Sequence, residues 1–180
     1  MKKMKNIFLL LSFSLMAGSI QAQDAPAEKA PAKSKPVKNT FGSVWLMDNQ
    51  TSLVPIKGTL EFDIQHRFGV VNIRLGVNYA PVKNLFVGIG ITKERNQLDL
   101  NAKYALLQQT TDNKMPVSVT YFGNIVVDTR NKSNFRYDVH RLSYFNQLII
   151  ARKVTNNFSL QVAPSFSWFN NVEAYVDANG

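Results

Sequence analysis

Glu61 and Asp63 stand two residues apart in the stretch GTLEFDIQHRF, residues 58–68. On an extended chain residues i and i+2 share a face, so the two carboxyls project the same way. Acid–base chemistry can use such a pair, with one carboxyl protonated and the other ionised. The competing reading is an ion-pair network. A hairpin turning at Gly69 and Val70 sets Arg74 diagonally across from Asp63 and Arg67 opposite Asn72, within reach of cross-strand pairing, and the network is the reading preferred here. The two histidines are poorly placed for more. His66 falls on the apolar row near a strand end and His140 at the edge of a long connection, so neither is set beside a serine and an aspartate as a nucleophile relay requires. With no Cys or carboxylate close by, neither forms part of a metal site. GIGITK (88–93) echoes a phosphate loop, but it lacks the third glycine and sits inside a strand rather than opening a helix. Gly76, Gly88 and Gly90 are read instead as places of curvature or of space beneath Phe86. The expectation is therefore no catalytic residue, no cofactor, no metal, and a protein that is not an enzyme.

The elements that carry these residues alternate with period two, the mark of a strand with one apolar and one polar side. In 58–68, Leu60, Phe62, Ile64 and Phe68 oppose Glu61, Asp63, Gln65 and Arg67. Val71, Ile73, Leu75, Val77 and Tyr79 oppose Asn72, Arg74, Gly76 and Asn78; Leu85, Val87, Ile89 and Ile91 oppose Phe86, Gly88, Gly90 and Thr92. Leu98, Leu100, Ala102 and Tyr104 oppose Asp99, Asn101 and Lys103. Val117, Val119, Tyr121, Ile125 and Val127 oppose Ser118, Thr120, Asn124 and Asp128. Leu142, Tyr144, Leu148 and Ile150 share a face with Asn146, which has no evident reason to be there. The segment 158–169 sets Phe158, Leu160, Val162, Phe166 and Trp168 against Ser159, Gln161, Ser165 and Ser167. Seven strands with polar connections predict an all-β, antiparallel up-and-down meander that closes into a barrel to avoid raw edges.

Alternation alone does not say which solvent the oily face meets. A lipocalin-like soluble barrel puts it inside; an outer-membrane barrel puts it against lipid. The strand lengths suit a tilted crossing of a bilayer. Aromatic residues collect at the two ends of the apolar face, Tyr79, Tyr104 and Phe158 beside the short turns and Phe68, Tyr144 and Trp168 at the other end, as interfacial girdles do. The polar face carries paired charges, as a wet lumen would. The chain is therefore read as a transmembrane barrel lined by Glu61, Asp63, Gln65, Arg67, Asn72, Arg74, Asn78, Asp99, Asn101, Lys103, Thr120, Asn124 and Gln161.

The N-terminus opens MKKMKNIFLLLSFSLMAGSIQAQ: a basic start, an apolar run too short to span a membrane, and small residues up to Ala22. This is the layout of a cleaved export signal, residues 1–22. Residues 23–39, rich in Ala, Pro and Lys, cannot bury enough apolar area to repay their ordering and are read as a flexible linker outside the sheet. Residues 40–57 are irregular, with one short strand at Val44–Met47, and are read as a periplasmic or plug segment; 58–180 is the barrel. The formal charge of +9 is spread over the signal (+3), the linker (+2) and everything from Thr40 on (+4). No basic stripe with stacking aromatics remains, so nucleic acid is not an expected partner. The chain has no Cys, so a core or a closed sheet, not disulfides, must hold an exported protein together.

HRFG (66–69), NIRLGVNY (72–79), LFVGIG (85–90), KYALLQQ (103–109), MPVSVTYFGN (115–124) and QLIIARK (147–153), in that order, resemble the segments of a β-barrel family of Bacteroidota-type Gram-negative bacteria, catalogued as a domain of unknown function. The resemblance covers roughly 41–168. It implies an outer-membrane barrel and carries no catalytic or ligand residue. Family members have a longer insertion where this chain has only Val70 and Val71, and they continue for several strands beyond Gly180. With an odd strand count and a polar, loop-like 170–180, the barrel is expected to be C-terminally incomplete. The functional expectation is porin-like or passive passage of small polar solutes. The alternatives are a structural barrel that anchors a periplasmic or surface protein partner in outer-membrane lipid and, more remotely, a soluble carrier.

Overall fold

The computed structural model describes residues 34–38, 40–46, 49–67, 72–93 and 96–171. The predicted export signal, most of the linker and Phe68 lie outside these residues, and Arg67 and Asn72 are described by their backbone alone. The strands are β1 (Trp45–Leu46), β2 (Asn49–Gln50), β3 (Leu60–Arg67), β4 (Asn72–Val82), β5 (Leu85–Thr92), β6 (Gln97–Leu107), β7 (Ser118–Asp128), β8 (Leu142–Lys153), β9 (Ser159–Val162) and β10 (Ser165–Phe169). From β3 to β8 each strand pairs antiparallel with the next, the meander that the alternation predicts. The segment expected as one seventh strand is split. β10 pairs the first half of β8 and β9 the second half, with Ala163 and Pro164 between. Proline has no N–H to donate, but its carbonyl accepts from the Leu148 N–H at 3.0 Å, so the chain stays attached to β8 across the break.

Which face is out is decided by exposure. Phe62 and Ile64 are 72% and 74% exposed, whereas Thr120 and Lys103 are 0% and 1% exposed. The exposed row continues through Leu75, Val77, Ile89, Ile91, Leu100, Ile125, Leu148 and Ile150. Buried side chains are largely polar: Asn78, Asp99, Lys103, Ser118, Thr120 and Gln147. This is the reverse of a soluble lipocalin-like barrel, which would hide the oily row. The sheet is curled without being closed. Gln65 on β3 and Gln147 on β8 line one cavity, yet among the described residues β3 and the β9–β10 pair remain the sheet's edges.

The concave face is occupied at one end by residues 43–46 and 49–54. Val44 is buried with Ala80 and Phe86, and Trp45, Leu53 and Val54 pack around them. β1 and β2 form a two-residue ladder, Trp45 opposite Gln50, so the short strand expected at Val44–Met47 is present as Trp45–Leu46. The long connection 129–139 folds into 3₁₀ turns at Lys132–Asn134 and Asp138–Arg141. Arg130 and Arg141 both lie against the Phe135 ring, at 5.7 and 5.0 Å.

Asn146, a polar residue on the oily outer face, is satisfied by a neighbouring strand. Gly123 lies opposite it on β7, and without a side chain there Tyr121 folds across the strand to donate its hydroxyl to the Asn146 Oδ1. An amide in lipid is costly unless satisfied. Tyr121→Phe should therefore lower stability in lipid by about 1–3 kcal/mol, and the loss should vanish in an Asn146→Leu background. A Tyr121→Phe cost that persists in that background would show that the ring, not the hydrogen bond, matters.

Candidate functional site

The polar interior is built on three glycines. Asp63 on β3 is register-paired with Gly76 on β4, Gly76 with Gly90 on β5, and Gly90 with Asp99 on β6. Arg74 reaches across this row. Its Nη1 donates to Asp63 Oδ1 at 2.7 Å, and its Nε and Nη2 form a fork on Asp99 at 2.8 and 2.6 Å. A bidentate guanidinium–carboxylate pair is the stronger, more directional form of such contacts. Asn78 donates to the second Asp63 oxygen at 3.0 Å, and Asn101 approaches Asn78 Oδ1 at 3.4 Å over Gly88. A Cβ at Gly76 would lie 2.1 Å from Asp63 Oδ1, at Gly88 1.8 Å from Asn78 Oδ1, and at Gly90 2.3 Å from Arg74 Nη2. The glycines therefore make room for the polar bridge rather than for Phe86, which packs against the Val44 cluster instead.

Asp63 belongs to an ion-pair network in this geometry. It is committed to Arg74 and Asn78, which leaves the Glu61 and Asp63 carboxyls in different environments. Arg74 binds Asp63 as the hairpin pattern predicts; its second partner, Asp99, lies 25 residues further on and is not predicted by that pattern. Arg67 and Asn72 are opposite each other in register.

Further round the wall, Lys103 donates to Gln50 Oε1 at 3.0 Å, Thr120 to the Ser52 carbonyl at 3.1 Å, and Gln161 to the Gln50 carbonyl at 2.9 Å. Three strands thus hold residues 50–52 inside the curl. Beside this hairpin, towards the 93–97 end, lies a cavity of about 630 Å³ whose wall includes Asp63, Gln65, Arg74, Asn101, Asn124 and Gln147 together with the rings of Trp45, Phe122 and Phe145. Phe122 and Phe145 meet edge to face at 6.1 Å. Neither ring is expected in a polar wall by residue type, although their positions, one residue from Tyr121 and Tyr144, place them on the inner row. On the outside, Tyr79, Tyr104, Phe158 and Trp168 are exposed and Tyr144 is half-buried; Trp168 donates its indole N–H to Asn170 at 2.7 Å.

Residues 34–38 belong to the structure, although their composition argues for a linker outside the sheet. Pro36 bridges Thr110, the Val37 N–H donates to the Gln109 carbonyl at 2.7 Å, and the Thr111 N–H donates to the Lys35 carbonyl at 2.9 Å. At the tip of the turn, hydrogen bonds from the Thr110 and Ser34 side chains hold the exposed Asp112 carboxyl down at about 2. A depressed carboxylate stabilises the folded form above its ordinary pKa and loses that effect as pH falls through the folded value. The contact should hold at neutral pH and weaken only near pH 2. At neutral pH, Asp112→Ala should accelerate tryptic cleavage at Lys38 without shifting barrel unfolding. Unchanged cleavage would assign the anchoring to the backbone bonds alone.

Residues 41–180 match the family described as "Membrane bound beta barrel domain (DUF5777)", a domain of unknown function. No curated protein and no solved structure matched the chain.

Proposed function

The chain belongs to this family of membrane-bound β-barrel domains, and we propose that it is exported under residues 1–22, sits in the outer membrane and passes small polar solutes through its interior. One observation carries the reading: an oily, exposed outer face backs a wall of buried polar side chains with an open cavity of about 630 Å³. A barrel that served only as an anchor could fill its interior with side chains, as small barrels do, and would leave no such cavity. The chemistry assigned to the wall is solvation, with no catalytic residue and no cofactor.

Planar-bilayer recordings of the full-length protein test this directly. Discrete openings are expected, and deleting residues 43–54 should enlarge them, because that segment narrows one end. A silent bilayer from correctly inserted protein would instead favour the second reading, a structural barrel that anchors a periplasmic or surface protein. That reading draws on the same segment: Gln50, Thr51 and Ser52 are buried inside the curl, as a permanent stopper would be.

A further inference from the structure

The unused hydrogen-bonding groups inside the curl point to one class of solute. Among the described residues, Gln65 Nε2, Asn124 Oδ1 and Gln147 Oε1 are buried side-chain atoms without a partner, and all three residues line the cavity beside the β1–β2 hairpin. Gln147 is only 3% exposed, and its other amide atom is already spent on Ser165 at 3.0 Å. Buried polar groups are normally satisfied, so a donor and two acceptors on residues that line one space describe what belongs there.

The charges on the wall do not compete for that space. Arg74 is forked on Asp99 and bonded to Asp63, so the guanidinium is already spent on two carboxylates, and an anionic solute would enter without a counter-charge, at a cost in desolvation. What remains is amide donors and acceptors beside the flat apolar rings of Trp45, Phe122 and Phe145. A pyranose presents the matching surfaces: hydroxyls that both donate and accept round the rim, and C–H faces that lie on rings. The volume is within the range of small-molecule sites.

We propose that the cavity beside the hairpin is a binding site for neutral sugars, with Gln65, Asn124 and Gln147 as its polar contacts. The proposal deepens the transport reading and rests on it for how sugar would reach the site. The wall offers three fixed hydrogen-bonding partners, so binding is saturable and prefers neutral to anionic sugars.

The test uses the full-length protein in lipid vesicles. Trp45 serves as the reporter in a Trp168→Phe background, since the chain has two tryptophans and Trp168 lies on the outer face. Glucose and maltose should change Trp45 fluorescence saturably, while the anionic glucuronate should do so more weakly. Asn124→Leu and Gln65→Leu should each weaken glucose binding about tenfold, the loss of one hydrogen bond, in protein whose unfolding in lipid is unchanged. A response that is linear in sugar, equal for glucose and glucuronate, or indifferent to both substitutions would overturn the site and leave the three amides to water. Bilayer conductance measured on the same preparation separates the two claims. Openings without a sugar response would sink the site alone; a saturable sugar response in a silent bilayer would sustain the site and refute passage.

Discussion

Arg74→Met should be among the most damaging single changes in the barrel, costing about 3–5 kcal/mol of stability in lipid. Arg74 is the shared cation of two carboxylates from two different strands, and the Asp63 and Asp99 side chains are only 9% and 6% exposed. Removing the guanidinium leaves two anions facing each other across Gly76 and Gly90 with no cation between them. The cost thus comes from the orphaned charges rather than from the worth of the ion pair. The triple change Arg74→Met, Asp63→Asn, Asp99→Asn should recover most of the loss, because a buried ionic triad replaced as a whole is often close to neutral. Urea unfolding of vesicle-inserted protein, followed by tryptophan fluorescence, measures both. A loss below about 1 kcal/mol in the single variant would mean that water in the lumen already solvates Asp63 and Asp99.

That triad also marks how far the sequence can be read. Which residues face inward was legible, because alternation is local and Asp63, Arg74 and Asp99 each sit on the polar row of their own strand. The Asp63–Arg74 contact was legible too, since one hairpin sets its register. The Arg74–Asp99 fork was not. It spans β5 and depends on Gly90 falling under the guanidinium, a coincidence of two registers that no single strand encodes. Tyr121 and Asn146 escaped for the same reason. The break at Ala163–Pro164 was hidden by parity: Val162 and Phe166 both face out, so the alternation passes through the interruption without a slip. Residues 43–54 were hard to place because the ordinary burial rule is reversed here. Gln50, Thr51 and Ser52 look like surface and are buried, since the interior they enter is itself polar. Residues 34–38 show the limit of composition. Pro and Lys cannot form a core, but the free backbone groups of the 108–112 turn bind whatever extended chain lies beside them.

Ile89→Arg should cost about 2–4 kcal/mol, the depth-dependent penalty for a guanidinium on the lipid face near mid-bilayer. Ile89 lies in the middle of β5, 47% exposed, with Val77 and Leu100 as its register partners and both of those exposed as well. An arginine there has apolar neighbours on either side and no inner-face partner within its own row. The matched change Gln65→Arg adds the same group to the other face, where the side chain enters a cavity bordered by Asp63 and Asn101. It should cost much less. Tyr79→Arg completes the series: at the aromatic end of β4 the long side chain can reach the interface, and the cost should fall to about 0–1 kcal/mol. The three values together read out the membrane's position along and across the sheet, which neither alternation nor exposure measures by itself. Equal costs at Ile89 and Gln65, from unfolding in the same vesicles, would refute the assignment of the oily row to lipid, and with it the passage of solute along the polar one.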